Sequence, residues 1–556
     1  MPNFHLNLSM PLLALSMVAG CGGGDDSPAA VPVALTCSQV TTQVLNLPRL
    51  TVASAVSVAA SGAAGSAASY PAHCQVTGSI NSRIGVDGKP YAIGFDIRLP
   101  NAAWNGKFFY SGDGGLDGSI FDPFGSTAMA GKTNALTMGY AVASSDGGHI
   151  GASILFDAAF GLDPQARVDY GYNALGTLTP LAKKIVTQYF GSAPTRAYYA
   201  GCSKGGQSGM QAAARFADQF DGIIAGNPGF NLPKSAVAAV FDDQQLATVD
   251  PDIAKAFAPQ DLAFVASRIL AQCDALDGAG DGIVNDLPGC KAAFQSDRDV
   301  PQCAAGVAPN GTCLSAVQKT ALKTIMGGAK DSGGTLLYAD WPWDPGIASG
   351  NWTGWKTFLG TTLTPVALAN VFSTPPTPSV QAFTPAAATY WQTFDLNRSF
   401  ALIYGTDATF TQSPMEFMSP PDLQNLTTLK SKSKLLVYHG AADGIFSVND
   451  TIRWHTNLRA NDAKAADYAR LFVVPGMAHC GEGPATDSFD AFSALVNWVE
   501  KGVPPDSILA TVSASNPDKP ASWSATRSRP LCPHPAKAML KAGASDLESA
   551  ASFVCQ

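Results

Sequence analysis

Tyr198-Tyr199-Ala200-Gly201-Cys202-Ser203-Lys204-Gly205-Gly206-Gln207-Ser208 is the stretch that decides the fold class of this chain. An apolar, aromatic run enters Gly-x-Ser-x-Gly, and Met210 to Phe216 then reads as a helix. The pattern predicts a strand that turns sharply into a helix around Ser203. Glycines on either side suit a tight turn in which neighbouring backbone passes close to the serine. The new helix would aim its N-terminal N–H groups at whatever the hydroxyl attacks. Gly-x-Ser-x-Gly alone says little in a chain with 54 glycines. The strand before it and the helix after it give it meaning.

Such an elbow belongs to the α/β-hydrolase fold, whose chain order is Ser, then Asp or Glu, then His. Lys434 to Gly440 reads as a buried strand, followed by Ala441-Ala442-Asp443-Gly444. Arg470 to Val474 gives another strand, followed by Pro475-Gly476-Met477-Ala478-His479-Cys480. Each loop thus carries one candidate just beyond the carboxyl end of a strand, where open α/β sheets place their chemistry. Seven histidines compete. His5 is in the leader, His534 in a Pro-flanked loop, and His73 and His455 have no motif. His149 has the wrong chain order for a base and His439 reads as structural, which leaves His479. If Ser203 and His479 touch, Cys202 and Cys480 are drawn close enough to bridge.

With these residues in hand, the chain resembles the tannase/feruloyl esterase family, marked by Cys-Ser … Asp … His-Cys. Trp104 to Phe109, Ser145 to His149, Phe160 to Arg167 and Val474 to Cys480 carry the resemblance over most of the chain. Within the family it is most similar to the branch that hydrolyses mono(2-hydroxyethyl) terephthalate. The resemblance implies an α/β-hydrolase with a large inserted lid domain, Ser203 as nucleophile, Asp443 as orienting acid and His479 as base. It implies an oxyanion hole made by the backbone N–H groups of Gly115 and Lys204, and an acyl-pocket role for Phe446. Core packing is an equally fair reading of that lone Phe.

A chain of 556 residues exceeds one ordinary core. With 14% charged residues, net charge −8 and no basic patch, nucleic acid is excluded as a partner. A monomer acting on a small aromatic ester is expected. Met10 to Cys21 is a short apolar run ending in small residues and a cysteine, similar to a bacterial lipobox, although Lys and Arg are missing before it. Lipidation of Cys21 would make an exported outer-membrane lipoprotein; ordinary periplasmic or secreted release is the alternative. Membrane contact is expected only through that anchor, since no other apolar run approaches the roughly 20 residues of a spanning helix. Eleven cysteines less Cys21 leave an even number, which suits an oxidising compartment. Connectivity is open from sequence alone. Proximity and the resemblance together imply Cys37–Cys74, Cys202–Cys480, Cys273–Cys290, Cys303–Cys313 and Cys532–Cys555.

Strands alternating with helices predict a mostly parallel sheet covered on both faces, with Tyr91 to Leu99 as an edge-like strand. The alternation lapses in the middle of the chain. The expected organisation is a leader over 1–21, a tether over 22–36, hydrolase segments over 37–229 and 429–556, and a lid domain over 230–428. Inside the lid, Asp274, Asp277 and Asp281 are spaced by three and four with glycines between. Their oxygens can face one hard cation, or simply form a solvated acidic turn. The resemblance implies structural Ca2+ held by these three residues and the carbonyls of Ala279 and Ile283.

The expected activity is serine carboxylic-ester hydrolysis of feruloyl-, benzoyl- or galloyl-type esters through an acyl-enzyme. Trp341, Trp343, Trp352 and Trp355 offer flat walls for an aromatic acid. The terephthalate branch holds its substrate carboxylate with a lid arginine, yet Lys356 to Thr377 contains none, and Lys204 stands where that branch has an acidic residue. Terephthalate monoester hydrolysis is therefore the second reading, for which Arg398 could reach in from elsewhere in the lid. A peptidase, or a non-catalytic surface lipoprotein that only binds, completes the alternatives.

Overall fold

The computed structural model describes residues 34–62, 69–129 and 133–556. The leader, Cys21 and most of the tether lie outside the described residues. Nine strands form the main sheet: β1 (Leu50–Val58), β2 (His73–Ile84), β3 (Pro90–Pro100), β4 (Lys107–Ser111), β5 (Ala141–Ser145), β6 (Arg196–Cys202), β7 (Gly222–Gly226), β8 (Lys434–Gly440) and β9 (Ala469–Val474). Their order is β1-β2-β3-β5-β4-β6-β7-β8-β9. Pairing is antiparallel from β1 to β5 and parallel from β5 to β9. This is the expected α/β-hydrolase sheet.

The central strands are apolar throughout because helices cover both faces. Alternate residues supply two separate cores. Phe108, Tyr110, Tyr199 and Ile223 pack with Leu178 and Ile185 of the helix Ala174–Phe190 and Met210 of the helix Lys204–Arg215. Phe109, Tyr198 and Ile224 pack with Phe492, Leu495 and Trp498 of the helix Ala491–Lys501.

One expectation needs correction. Tyr91 to Leu99 is not at the edge: β3 lies between β2 and β5, and β1 is the outer strand. The two outer strands escape a reading by periodicity because β1 is built largely of Ala, Ser, Thr and Val, half-exposed, with no alternation between apolar and polar residues.

Between β7 and β8 the chain leaves the sheet and returns, as the expected insert requires. Its longer helices are Leu232–Ala247, Pro259–Cys273, Ala316–Met326 and Phe358–Asn370. One of its cores includes Phe160 and Tyr170 from the preceding segment, so the insert packs directly on the sheet portion. Asp344 fastens it on the other side: its buried carboxylate accepts the N–H of Gly346 within the insert (2.8 Å) and of Gly476 after β9 (3.0 Å). All five expected disulfides are present. Among the described residues no helix is long and apolar enough to cross a membrane.

Burial pushes the Asp344 carboxyl up from 3.8 to about 6 despite the two N–H donors. A carboxyl raised on folding favours the native state below its unfolded value, and that contribution is lost as pH rises through the folded value. The wild type should therefore lose about 3 kcal/mol relative to Asp344→Asn between about pH 3 and pH 7. Urea denaturation of both proteins across that range checks it; parallel curves would contradict it.

Candidate active site

Ser203 links β6 to the helix Lys204–Arg215 with φ 64° and ψ −123°, a strained conformation for a residue with a side chain. Its N–H donates to the carbonyl of Gly226 at the end of β7 (3.0 Å). The turn is as tight as the sequence requires: a Cβ on Gly205 would lie 2.4 Å from the carbonyl oxygen of Asp113, and one on Gly201 2.7 Å from Gly205. Ser203 is thereby lifted clear of the sheet at the start of a helix.

The loops after β8 and β9 bring the other two candidates to it. His479 Nε2 is 2.8 Å from Ser203 Oγ, and His479 Nδ1 is 2.8 Å from Asp443 Oδ2. With the proton on Nδ1, facing the carboxylate, Nε2 is left to accept from the serine. Asp443 is fully buried. Burial alone would raise its carboxyl, but the charge of His479 and hydrogen bonds from His439 and His479 hold it far below the usual carboxylate range. Its Oδ1 also accepts the N–H groups of Ile445 (2.9 Å) and Phe446 (3.0 Å).

Three supports were not legible in the sequence. Asn227, after β7, donates its amide to Asp443 Oδ2 (2.7 Å) and to the carbonyl of Ala478 (3.3 Å). His439, read as merely structural, stands 3.3 Å from Asp443 Oδ2 and 2.9 Å from both the Phe446 carbonyl and Thr451 Oγ1. Asn351 of the insert accepts the His479 N–H through Oδ1 (3.2 Å). An isolated Asn carries no periodic signal, so Asn227 and Asn351 do not stand out, and a His at a strand end gives no sign of which carboxylate it faces. Cys202 and Cys480 join the elbow to the histidine loop, with Cα atoms 6.1 Å apart.

Beside Ser203 opens a narrow pocket with an overwhelmingly apolar lining, which includes Leu232, Trp355, Leu363, Phe372 and Phe446 together with Gly115 and Lys204. Trp355 and Phe446 place their ring centres 4.6 and 5.3 Å from that of His479. Trp341, Trp343 and Trp352 do not line it: Lys356 lies over the rings of Trp341 and Trp352, and Trp343 packs on Phe294. Gly115 has φ 62°, and a Cβ there would lie 2.3 Å from the carbonyl oxygen of Ile154, so only glycine fits. Neither the Gly115 nor the Lys204 N–H has an acceptor among the described residues. For Lys204 this follows from its place as the first residue of a helix.

Among the described residues no arginine lines the pocket. Arg398 is exposed and pairs with Asp395. The Lys204 ammonium turns away from the pocket to Asp117 Oδ2 (3.1 Å) and Ser208 Oγ (3.0 Å). His149 is buried on Phe160, with ring centres 3.9 Å apart, and burial pushes it down to about 3.

In the acidic loop each carboxylate is bound locally. Asp274 Oδ1 accepts from the N–H groups of Asp281 and Gly282, Asp277 from Ala279 and Asn285, and Asp281 Oδ1 from Ile283. Burial, and the charges of Asp281 and Asp274, push Asp277 up to about 6. Like charges thus face one another, as a cation would require. Yet Arg529 donates to Asp281 Oδ2, and among the described residues no three such side chains converge closely enough to hold a metal ion as they stand.

The family model described as tannase and feruloyl esterase matches residues 74–556. The chain is 38% identical to mono(2-hydroxyethyl) terephthalate hydrolase of Piscinibacter sakaiensis, over 89% of this chain and 87% of that protein. It is 29% identical to a probable feruloyl esterase of Arthroderma benhamiae, over 85% and 84%. The crystal structure of feruloyl esterase B from Aspergillus oryzae superposes with a TM-score of 0.73 over 94% of this chain and 99% of that one; at 22% identity this bears on the fold.

Proposed function

The chain belongs to the tannase and feruloyl esterase family and is a carboxylic ester hydrolase; from that premise we propose that Ser203, His479 and Asp443 are its catalytic triad. The supporting observation is the unbroken Ser203–His479–Asp443 contact beside an apolar, aromatic-walled pocket with two unengaged backbone N–H groups. Family membership sets aside a purely binding lipoprotein.

Ser203 Oγ attacks the ester carbonyl while its proton passes to His479 Nε2, and the buried Asp443 carboxylate stabilises the imidazolium. The N–H groups of Gly115 and Lys204 receive the negative oxygen of the tetrahedral adduct. The bond to the alcohol then breaks and His479 returns the proton to that alcohol. Water, with His479 again as base, attacks the acyl-enzyme, releases the aromatic acid and restores Ser203. Ser203→Ala should lose at least about 10^4-fold in kcat, and Asp443→Asn a comparable factor. Initial rates on any hydrolysed ester check this; a Ser203→Ala protein of near wild-type activity would refute it.

The acyl group we propose is a neutral aromatic acid of feruloyl, benzoyl or galloyl type, packed against Trp355 and Phe446. A pocket without a cation leaves a substrate carboxylate no charged partner, which is worth about 1.5–3 kcal/mol. Methyl ferulate or ethyl benzoate should therefore exceed mono(2-hydroxyethyl) terephthalate by about 10-fold or more in kcat/KM. The second reading, terephthalate monoester hydrolysis, is favoured by the 38% identity to the Piscinibacter sakaiensis enzyme. Preference for the monoester in side-by-side assays would select it.

The curled acidic loop is proposed to hold Ca2+ through Asp274, Asp277, Asp281 and the carbonyls of Ala279 and Ile283, in competition with Arg529 for Asp281. Calcium at 100 times its Kd should then stabilise the fold by about 2.7 kcal/mol. A rise in Tm abolished by Asp277→Asn is the expected result; an unchanged Tm would leave the loop an acidic turn. The insert over 230–428 is proposed as the lid that closes the pocket. Export is supported by the five disulfides. Anchoring through Cys21 would show as a lipid-shifted N-terminal peptide mass, and an unmodified one would mean release.

A further inference from the structure

The two proposed oxyanion donors come from segments far apart in sequence, one the start of a helix and the other a glycine-rich loop. Lys204 begins a helix anchored under the sheet. Gly115 sits in Gly112-Asp113-Gly114-Gly115, a loop whose glycines give it little conformational preference of its own. Donors must converge within a few tenths of an ångström on one point, and a 1 Å misplacement costs about 10^2-fold in rate.

Behind the pocket, buried side chains connect the two. Lys204 Nζ donates to Asp117 Oδ2 (3.1 Å), on the same loop as Gly115 and only two residues further on. The same ammonium lies over the ring of Tyr170, 4.5 Å from its centre. The Tyr170 hydroxyl in turn donates to the carbonyl of Gly115 itself (2.9 Å). Ser208, one turn along the helix, accepts the ammonium's other hydrogen bond (3.0 Å). The Lys204 and Asp117 side chains are 5% and 6% exposed, so this contact is unscreened by solvent. A small polar cavity lined by Asp113, Asp117, Asp169, Tyr170 and Lys204 surrounds it. Burial, then the charge of Asp117, pushes the Asp113 carboxyl well up. Asp117 is itself raised by burial and held down by Lys204.

From this juxtaposition we infer that Lys204, Asp117 and Tyr170 are positioning residues: a buried ion pair and a cation–ring contact that fix the Gly115 loop against the nucleophile helix and so set the spacing of the oxyanion hole. The inference rests on the proposed role of Ser203 and extends it. Lys204 then acts twice, through its backbone N–H toward the substrate and through its side chain away from it. The lysine after Ser203 thus has its charge engaged by what lies behind the site.

The test is a KM-against-kcat split combined with a mimic of the tetrahedral adduct. Lys204→Met keeps the aliphatic stem and removes the charge; Tyr170→Phe removes only the hydroxyl on Gly115. The variants should lose about 10–100-fold and about 5–10-fold in kcat, with KM within 3-fold of wild type. Affinity for phenylboronic acid, which forms a tetrahedral adduct on the serine, should fall by matching factors, while affinity for benzoate stays unchanged. The double variant should lose less than the product of the two single losses, because both act on one loop. Asp117→Asn leaves a buried, unpaired ammonium, so its folding is judged first by Tm; Tyr170→Phe carries the test if it fails to fold. Folded variants with wild-type kcat and boronate affinity would overturn the inference, as would equal losses in boronate and benzoate affinity. A Ser203→Ala control that keeps its activity would instead bring down the proposed triad, so the two failures are distinct.

Discussion

The backbone at Ser203 is the constraint on which the rest of the site depends. A residue with a side chain is held at φ 64° where β6 meets its helix, and it stays there because neighbours close in from every side. Gly205 passes under the carbonyl of Asp113, Gly206 would put a Cβ 2.1 Å from the carbonyl oxygen of Gly226, and the Ser203 N–H is spent on that same Gly226. These close approaches draw the loops after β4 and β7 in toward the first turn of one helix. The helix can then offer its unpaired Lys204 N–H beside the hydroxyl instead of burying it.

Buried carboxyls in this molecule take opposite fates according to what surrounds them. Asp443 collects two backbone N–H groups, an asparagine amide and two imidazoles, and remains ionised at the deepest point of the site. Asp344 has two N–H donors and no positive neighbour, and rises toward neutrality. Asp113, beside Asp117, is pushed up by burial and then by that neighbour's charge. Environment, not residue type, separates the carboxylate that stays ionised beside His479 from those that rise.

Much of this was legible in the sequence because it rests on short-range rules. Ser203 announces itself by a strand, a glycine-bounded turn and a helix; Asp443 and His479 lie directly past strand ends in the required order. The strands of the central sheet are apolar runs because both their faces are covered. What escaped has long-range causes. The small-residue strand β1 has no alternation to detect, which leaves β3 looking like the edge. Asn227 and Asn351 matter only through what folding brings near them. Four insert tryptophans looked alike, and only the path of the backbone turns Trp355 alone toward His479. In Lys204 the sequence shows a residue and not a direction: its ammonium points into the protein and not into the pocket.

The Cys202–Cys480 bridge spans 278 residues, and the whole insert leaves and re-enters the sheet within that span. The elbow and the histidine loop are thus the two sides of a clasp on a covalent ring, and the insert is part of the ring's circumference. A protease that nicks an exposed turn of the insert opens the ring but releases neither side of the clasp. Serine and histidine stay tethered through sulfur when the peptide connection between them is gone. In an oxidising compartment, where such a bridge persists, Ser203 and His479 are held together independently of the insert's own peptide connection.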